Sequence, residues 1–416
     1  MKLHFNTIAE PSTPGLKWQK LFNTHWAAYR TWFISKEASN AADLKTSQAA
    51  LKKYMPEMWP TYKRLCKLAK ADDVAARFLT GFQPPAYIGA CSQAILPGDG
   101  LKLVRNYDFH PDLTEGVQLF TAWNGKKVIA TSDCLIGVLD GMNEDGLAIS
   151  LTFGGRKEVG MGFGIPFIMR YILEFCSNVE EAVSALKRIP SHMSYNVTAI
   201  DRSGAHKTVQ VAPDKAPLVT YATYATNHQG KVDWPENAAF NKTLERSEFI
   251  GNMLKEREED AHAMADAFLQ PPLYNKMFKE GFGTLYTAVY HPAKGTVQLR
   301  WPNMEITQDF VNFKEEYKLI RLVQNAKVPV QKAPRAEVFA EVENSVDHTY
   351  NSQTNDWQRT LTDILVSAMS YAKPSADKKE LEKLDAKLNK GGEVSWEALA
   401  DFWAKKGTAY SKNWNS

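Results

Sequence analysis

The stretch Gly81-Phe82-Gln83-Pro84-Pro85 divides the chain into two textures and constrains its fold more than any other feature. Consecutive prolines remove two backbone donors and fix φ, and the residue before each is driven out of the helical region. Helical structure stops here and an extended segment begins. Upstream, Leu16, Trp18, Leu21, Phe22, Trp26, Tyr29, Trp32 and Phe33 recur mostly every three or four residues, the stripe of an amphipathic helix over 14–33. Further helices are expected at 41–54, 57–69 and 72–79, the last with Asp72 and Asp73 near its start. Residues 1–90 thus read as helical.

Downstream the chain reads as strands and turns. Ala86–Leu96 and Leu101–Tyr107 flank Pro97-Gly98-Asp99-Gly100, and Gly116–Trp123 and Lys127–Ser132 flank Asn124-Gly125, a strong hairpin signal. Asn143-Glu144-Asp145-Gly146 leads into Leu147–Phe153, and two helices fit 165–188, the second beginning after Ser177 or Asn178. Strands are expected at Tyr195–Asp201, Lys207–Ala212 and Leu218–Thr226, and helices at 236–255 and 259–269. A last hairpin pairs Thr284–Tyr290 with Thr296–Trp301. Sequential hairpins imply antiparallel pairing, and strands and helices in blocks imply an α+β protein with two sheets covered by helices on their outer faces. Beyond 310, helices are expected around Leu361–Met369, Asp377–Asn389 and Glu393–Lys405. The expected division is a helical segment 1–90, a sheet-forming domain 91–310 and a C-terminal helical extension 311–416 packed on the core.

Charge and cysteine usage narrow the function classes. A net charge of +3 over 416 residues gives no case for a nucleic-acid partner. Residues 1–90 carry 13 Lys/Arg against 6 Asp/Glu, a net of +7, which leaves −4 for 91–416. That asymmetry suits docking of the first segment on the rest. Cys66, Cys91, Cys134 and Cys176 form no C-x-x-C pair and are too scattered for a disulfide framework. Met1-Lys2-Leu3-His4-Phe5-Asn6 lacks a signal-peptide core, and no apolar run is long enough to span a membrane, so a cytoplasmic address and no membrane partner are expected. His110, His192, His228 and His291 show no metal spacing, and Gly160-Met161-Gly162-Phe163-Gly164 lacks the Gly-Lys-Ser/Thr ending of a phosphate loop. Neither a metal nor a cofactor is expected.

The chemistry points to Cys91. Cys66, Cys134 and Cys176 lie in apolar or helical contexts that suit buried cysteines acting as small hydrophobes. Cys91 instead follows Gly89-Ala90, which give the preceding carbonyl little steric cover, and it falls just after the change of texture. Arg105, Asn106 and Asp108 return on the antiparallel partner of its strand. A thiol so placed can attack the Ala90 carbonyl, form a thioester and be released by water as a new N-terminal cysteine. The freed α-amino group, with a typical pKa of about 7.7–8.0, then serves as base for its own thiol, and no histidine is required. Arg105 would favour the thiolate, and Asp108 could hold the amine by a charge-assisted hydrogen bond.

These residues, with others in order along 86–301, give the chain a resemblance to a known family. Gly89-Ala90-Cys91-Ser92 and Arg105-Asn106-Tyr107-Asp108 are followed by Asp140-Gly141-Met142-Asn143-Glu144-Asp145-Gly146-Leu147-Ala148 and Leu151-Thr152-Phe153-Gly154-Gly155-Arg156. Ala225-Thr226-Asn227-His228 and Thr284-Leu285-Tyr286 complete the set. The chain resembles the acyl-CoA:6-aminopenicillanic acid acyltransferase (isopenicillin N acyltransferase-like) family, related to choloylglycine hydrolases within the N-terminal-nucleophile superfamily. The resemblance implies a four-layer αββα sandwich of two mainly antiparallel sheets, self-cleavage between Ala90 and Cys91, and action on non-peptide amide bonds. Acyl-CoA would be a substrate rather than a cofactor. Cys91 matches the nucleophile, Arg105 and Asp108 its supporting pair, and Asn227 an oxyanion-hole donor. Asn106, Thr152, Phe153 and His228 are pocket or oxyanion candidates, and residues 1–90 match a pro-segment, which after cleavage would be a partner chain.

Two positions depart from the pattern. Choloylglycine hydrolases commonly carry a second asparagine where Thr152 stands, and an arginine that some relatives place before the Thr284 strand is replaced by Gly281-Phe282-Gly283. The expected function is an autoproteolytically activated cysteine acyltransferase or amidohydrolase acting on a small-molecule amide or acyl donor, with a homo-oligomer allowed. The alternative is an unprocessed, non-catalytic small-molecule binding protein on the same fold. A papain-like hydrolase fits poorly, because no cysteine lies in that family's local context.

Overall fold

The computed structural model describes residues 1–35, 41–256, 261–278 and 282–322. In order along the chain, the first segment holds β1 (Lys2–Glu10) and four helices, α1 (Leu16–Ser35), α2 (Leu44–Tyr54), α3 (Trp59–Ala69) and α4 (Asp73–Phe78). Six strands follow: β2 (Ala90–Leu96), β3 (Lys102–Phe109), β4 (Val117–Thr121), β5 (Val128–Asp133), β6 (Gly137–Asn143) and β7 (Ala148–Phe153). Two helices, α5 (Ile165–Phe175) and α6 (Val179–Arg188), precede β8 (Tyr195–Ile200), β9 (His206–Val211), β10 (Leu218–Thr220) and β11 (Tyr224–Ala225). Helices α7 (Pro235–Asn241), α8 (Thr243–Glu256) and α9 (Ala261–Ala267) lead to β12 (Gly283–His291), β13 (Thr296–Trp301), β14 (Met304–Asp309) and β15 (Glu316–Arg321).

The strands form two sheets. One has nine strands in the order β10-β9-β8-β7-β6-β5-β4-β1-β15, antiparallel except where β1 runs parallel to β4. The other has six, all antiparallel, in the order β11-β2-β3-β12-β13-β14. Three apolar clusters fix the layering. Leu3, Phe5, Cys91, Leu103, Tyr107, Ile129, Leu139, Met142, Tyr286 and Tyr290 share the core between the sheets. Val128, Val138 and Leu151 pack outward from the nine-stranded sheet against α5 and α6, in one cluster with Trp18, Phe22 and Leu65 of the N-terminal helices. Ala94, Leu96, Val104 and Val289 pack outward from the six-stranded sheet against Ile250 of α8 and Met264 of α9. The architecture is the expected αββα sandwich.

Local signals account for most of the elements. Asp43, Asp72 and Asn178 cap α2, α4 and α6, each accepting a hydrogen bond from the backbone N–H three residues on. The hairpin about Asn124-Gly125 forms β4 and β5. Three expectations need correction. The first is the all-helical reading of 1–90: Lys2–Glu10 is a strand of the nine-stranded sheet, with Leu3 and Phe5 in the inter-sheet core. Its alternation of buried and exposed residues is the strand signature, overlooked beside the stronger helical stripe that follows. The second is the extension from 311: Glu316–Arg321 is a strand that pairs with β1. The third is the single strand 218–226, whose two halves serve different sheets, β10 pairing with β9 and β11 with β2. The three helices expected between 361 and 405 lie outside the described residues.

Because β1 is built into the core, Phe5→Ala should cost about 3–5 kcal/mol of stability, as aromatic truncation in a packed core does. Phe5 is 1% exposed and meets Tyr286 and Trp301 edge-on. Urea denaturation monitored by tryptophan fluorescence gives the difference directly.

Candidate active site

Side chains alternate across a strand, and this decides what surrounds Cys91. On β2, Cys91, Gln93 and Ile95 face the inter-sheet core, while Ser92, Ala94 and Leu96 face α8 and α9. On β3, Cys91 pairs with Tyr107, Gln93 with Arg105 and Ala90 with Asp108. Arg105 therefore shares the inner face with the thiol. Asp108, an odd number of residues further on, does not.

Arg105 is fully buried and each of its three side-chain nitrogens makes a hydrogen bond. Nη2 lies 3.0 Å from Cys91 Sγ, Nε donates 2.8 Å to the Leu151 carbonyl, and Nη1 donates 3.1 Å to the Tyr286 hydroxyl and pairs with Asp140. Asp140, on β6 of the opposite sheet, also accepts from Tyr286 at 2.8 Å, Thr131 at 3.0 Å, and Tyr290. Burial pushes the Cys91 thiol up, Arg105 and Arg246 pull it down, Asp108 pushes it up, and the net direction is up. The intact chain holds this thiol in its protonated form.

On the other face of β2 and β3, Asp108 is buried with Thr284 and Arg246. The Thr284 hydroxyl donates 2.6 Å to Asp108, and Arg246 lies 3.9 Å away. A bulge between Thr284 and Tyr286 makes this contact. Without the extra residue, Thr284 would share the inner face of Tyr286 and point away from Asp108. Burial pushes the Asp108 carboxyl up to about 6, against the pull of Arg246 and the Thr284 hydrogen bond.

Asn227 closes the third side. Its Oδ1 accepts 3.1 Å from the Cys91 N–H and 2.7 Å from Arg246, and its Nδ2 donates 3.2 Å to the Phe153 carbonyl. Gly155 permits this approach, because a Cβ there would lie 2.2 Å from the Asn227 carbonyl oxygen and its φ is +69°. The nitrogen of Cys91 thus rests on Asn227 rather than on Asp108.

Arg246 is the residue that the sequence reading missed. It is 3% exposed on α8 and donates 2.7 Å to the Cys91 carbonyl, 2.7 Å to the Ser92 hydroxyl and 2.7 Å to Asn227. The arginine sought before the Thr284 strand is absent there, and a guanidinium reaches the site from α8 instead. Nothing local marks it, since the surrounding helix reads as solvated. Asp140 was visible within Asp140-Gly141, but only its pairing with Arg105 gives it a role.

The pocket candidates separate. Asn106 faces outward, donating to the Phe268 and Leu273 carbonyls and accepting from Thr287, so it anchors the end of α9 rather than lining a pocket. Thr152 donates 2.8 Å to the Thr226 carbonyl and accepts from Asn196, which fastens the chain that carries Asn227. His228 engages Thr243 at 3.0 Å and Thr226 at 3.3 Å. Phe153 reaches the site through its carbonyl, while its ring packs in the outer core against Tyr195. Among the described residues, no group of three metal-ligating side chains occurs and no helix is long and apolar enough to cross a membrane.

The raised carboxyl of Asp108 has a measurable consequence. An acid whose folded pKa exceeds its unfolded value of about 3.9 contributes stability that is present at low pH and is lost as pH rises toward the folded value. In a Cys91→Ala background, stability should therefore fall between about pH 4 and pH 6, and Asp108→Asn should flatten that decline. Thermal melts across the interval check the sign, and an unchanged slope would contradict the assignment.

The sequence agrees with this geometry at family level. A profile described as acyl-coenzyme A:6-aminopenicillanic acid acyl-transferase matches residues 95–305, a span that takes in Arg105, Asp108, Asp140, Asn227 and Arg246 and begins just after Cys91. No curated protein matches the chain. Among solved structures, a mutant conjugated bile acid hydrolase from Clostridium perfringens aligns at 13% identity over 57% of this chain and 99% of its own, with a TM-score of 0.38. Penicillin V acylase from Agrobacterium tumefaciens aligns at 16% identity over 53% of this chain and 86% of its own, with a TM-score of 0.34. With half of its length matched in order, the chain belongs to the acyl-coenzyme A:6-aminopenicillanic acid acyl-transferase family.

Proposed function

We propose that the protein is a cysteine acyltransferase or amidohydrolase that activates itself by cutting between Ala90 and Cys91. The observation that carries this reading is the contact of 3.0 Å between Arg105 Nη2 and Cys91 Sγ, in a guanidinium whose own charge is balanced by buried Asp140. A cation held at hydrogen-bond distance stabilises a thiolate, which is the nucleophilic form.

In the first step, Sγ attacks the Ala90 carbonyl carbon. The carbon–nitrogen bond breaks, the nitrogen of Cys91 takes a proton, and a thioester joins Ala90 to Cys91. Water cleaves that thioester, leaving a carboxylate on Ala90 and a free amine and thiol on Cys91. In turnover the amine takes the thiol proton, the thiolate attacks the substrate carbonyl, and the amine returns the proton to the leaving nitrogen. The acyl-enzyme then passes its acyl group to water or to an acceptor amine. The Asn227 Oδ1, already on the Cys91 nitrogen, suits it to orient the freed amine. In the oxyanion role its Nδ2 exchanges the Phe153 carbonyl for the developing oxygen. Arg246, bonded to Cys91, Ser92 and Asn227 at once, keeps that alignment. Asp108 contributes charge from the outer face.

The wild-type protein is expected to run as fragments 1–90 and 91–416, and Cys91→Ala as a single full-length chain. Intact mass and N-terminal sequencing read this directly, and an uncut wild type with no chain beginning at Cys91 would sink the mechanism. Asn227→Ala is expected to lower turnover of amide substrates by about 10²–10³, the usual effect of losing one oxyanion donor.

A further inference from the structure

Asn196 is a buried amide that takes no part in the steps proposed for Cys91. It lies on β8, 1% exposed, with its side chain on the inner face of the nine-stranded sheet. Tyr195 and Val197 on either side of it belong to the outer cluster, and Ile200, four residues on, to the core between the sheets. Its Nδ2 lies 3.1 Å from the Thr226 carbonyl, 3.1 Å from the His228 carbonyl and 3.0 Å from the Thr152 hydroxyl. Its Oδ1 is buried and has no hydrogen-bond partner among the described residues. An acceptor left in this state carries a desolvation cost that an apolar side chain would avoid. The position therefore keeps an amide for its donor, and the donor goes to the two carbonyls that flank Asn227.

These bonds close a circuit through the site. Gln93, two residues after Cys91 on β2, donates 3.2 Å to the Asn196 carbonyl and 2.9 Å to the Thr198 hydroxyl. The backbone of Asn196 is thus held by the strand that carries the thiol. Its side chain holds the chain on both sides of Asn227, and Asn227 Oδ1 returns to the Cys91 N–H at 3.1 Å. Thr243 and Arg246 fasten the same segment to α8, in the outer layer. Thr152 shares one of the two contacts, donating 2.8 Å to the Thr226 carbonyl. Among the described residues, Asn196 alone bonds both flanking carbonyls.

We propose that Asn196 is a positioning residue for Asn227. By fixing the carbonyls of Thr226 and His228 against the nine-stranded sheet, it sets the reach of the Asn227 amide to the Cys91 nitrogen and to the carbonyl under attack. The inference rests on the role given to Asn227 in the acyl-enzyme reading. Misplacing a catalytic group by about 1 Å can cost on the order of 10²-fold in rate. A residue that acts only through Asn227 has a distinct signature, because its loss matters only while Asn227 is present.

The test is a double-mutant cycle of Asn196→Ala and Asn227→Ala. Self-cleavage is timed by intact mass during cell-free synthesis, and the cut proteins are assayed with p-nitrophenyl acetate. Asn196→Ala should slow self-cleavage and lower kcat about tenfold or more, with KM within about twofold of the wild type. Added to Asn227→Ala, it should change neither rate further. A variant that yields no cut protein is compared by self-cleavage alone. Full additivity, in which the double variant falls below Asn227→Ala by the whole factor of Asn196→Ala, would overturn the inference, as would wild-type rates in Asn196→Ala. Folding is checked by thermal melts of each variant in the Cys91→Ala chain. If Asn196→Ala does not melt cooperatively there, Thr152→Val, which is nearly isosteric and removes one bond to the Thr226 carbonyl, takes its place in the cycle and is read in the same way. Wild-type rates in Asn227→Ala would instead withdraw the role of Asn227, and this inference with it, without any change at Asn196.

Discussion

The buried pair of Arg105 and Asp140 is the interaction on which the rest of this structure depends. Taking two charges out of water is costly, and the attraction between them compensates only when the geometry is good and every remaining hydrogen-bonding site is filled. The pair is well supplied with such partners. Asp140 receives three hydroxyl groups besides the guanidinium, and Arg105 spends its other donors on a carbonyl, a hydroxyl and the thiol. The two residues come from different sheets, so the pair also ties the layers together beneath Cys91. Loss of either partner would strand a charge in the core.

A second arginine approaches from the opposite side. Arg105 reaches the sulfur through the inter-sheet core, whereas Arg246 reaches the carbonyl oxygen of the same residue from the helical layer. The backbone of Cys91 is thereby held on one face of its strand and its thiol on the other. Asp108 belongs with Arg246, and the bulge in β12 turns Thr284 toward it. Cys91 thus has one guanidinium beside its sulfur and another that holds its backbone. The protonated thiol of the intact chain reflects burial prevailing over both.

The segment ahead of Cys91 is part of this arrangement. β1 lies between β4 and β15, and the N-terminal helices share a core cluster with α5 and α6. Trp18 donates 2.8 Å to the Leu135 carbonyl, and the Tyr29 hydroxyl meets both Glu115 and the Cys134 N–H, so α1 supports the left-handed corner at Cys134 and Leu135. Residues far apart in the chain thereby hold this end of the nine-stranded sheet.

Much of this was legible in the chain itself. Hydrophobic period separated helices from strands, the turn Asn124-Gly125 set a hairpin, the caps at Asp72 and Asn178 started helices, and Gly89-Ala90-Cys91 with Arg105 marked the candidate nucleophile and the cation that lies beside it. These signals are local, or follow from antiparallel return across a single turn. The parting of Arg105 from Asp108 also follows from strand alternation, once β3 is known to run through both. Other features depend on which segments meet after folding. Lys2–Glu10 and Glu316–Arg321 are strands because each completes the other's hydrogen bonding across more than 300 residues. Arg246 joins the site because α8 packs over β2, and Asp140 meets Arg105 only when the two sheets close. Local propensity and period determined the elements and singled out Cys91; the packing of one sheet on the other decided which charges surround it, because burial makes each of those charges depend on a partner that no local pattern reveals.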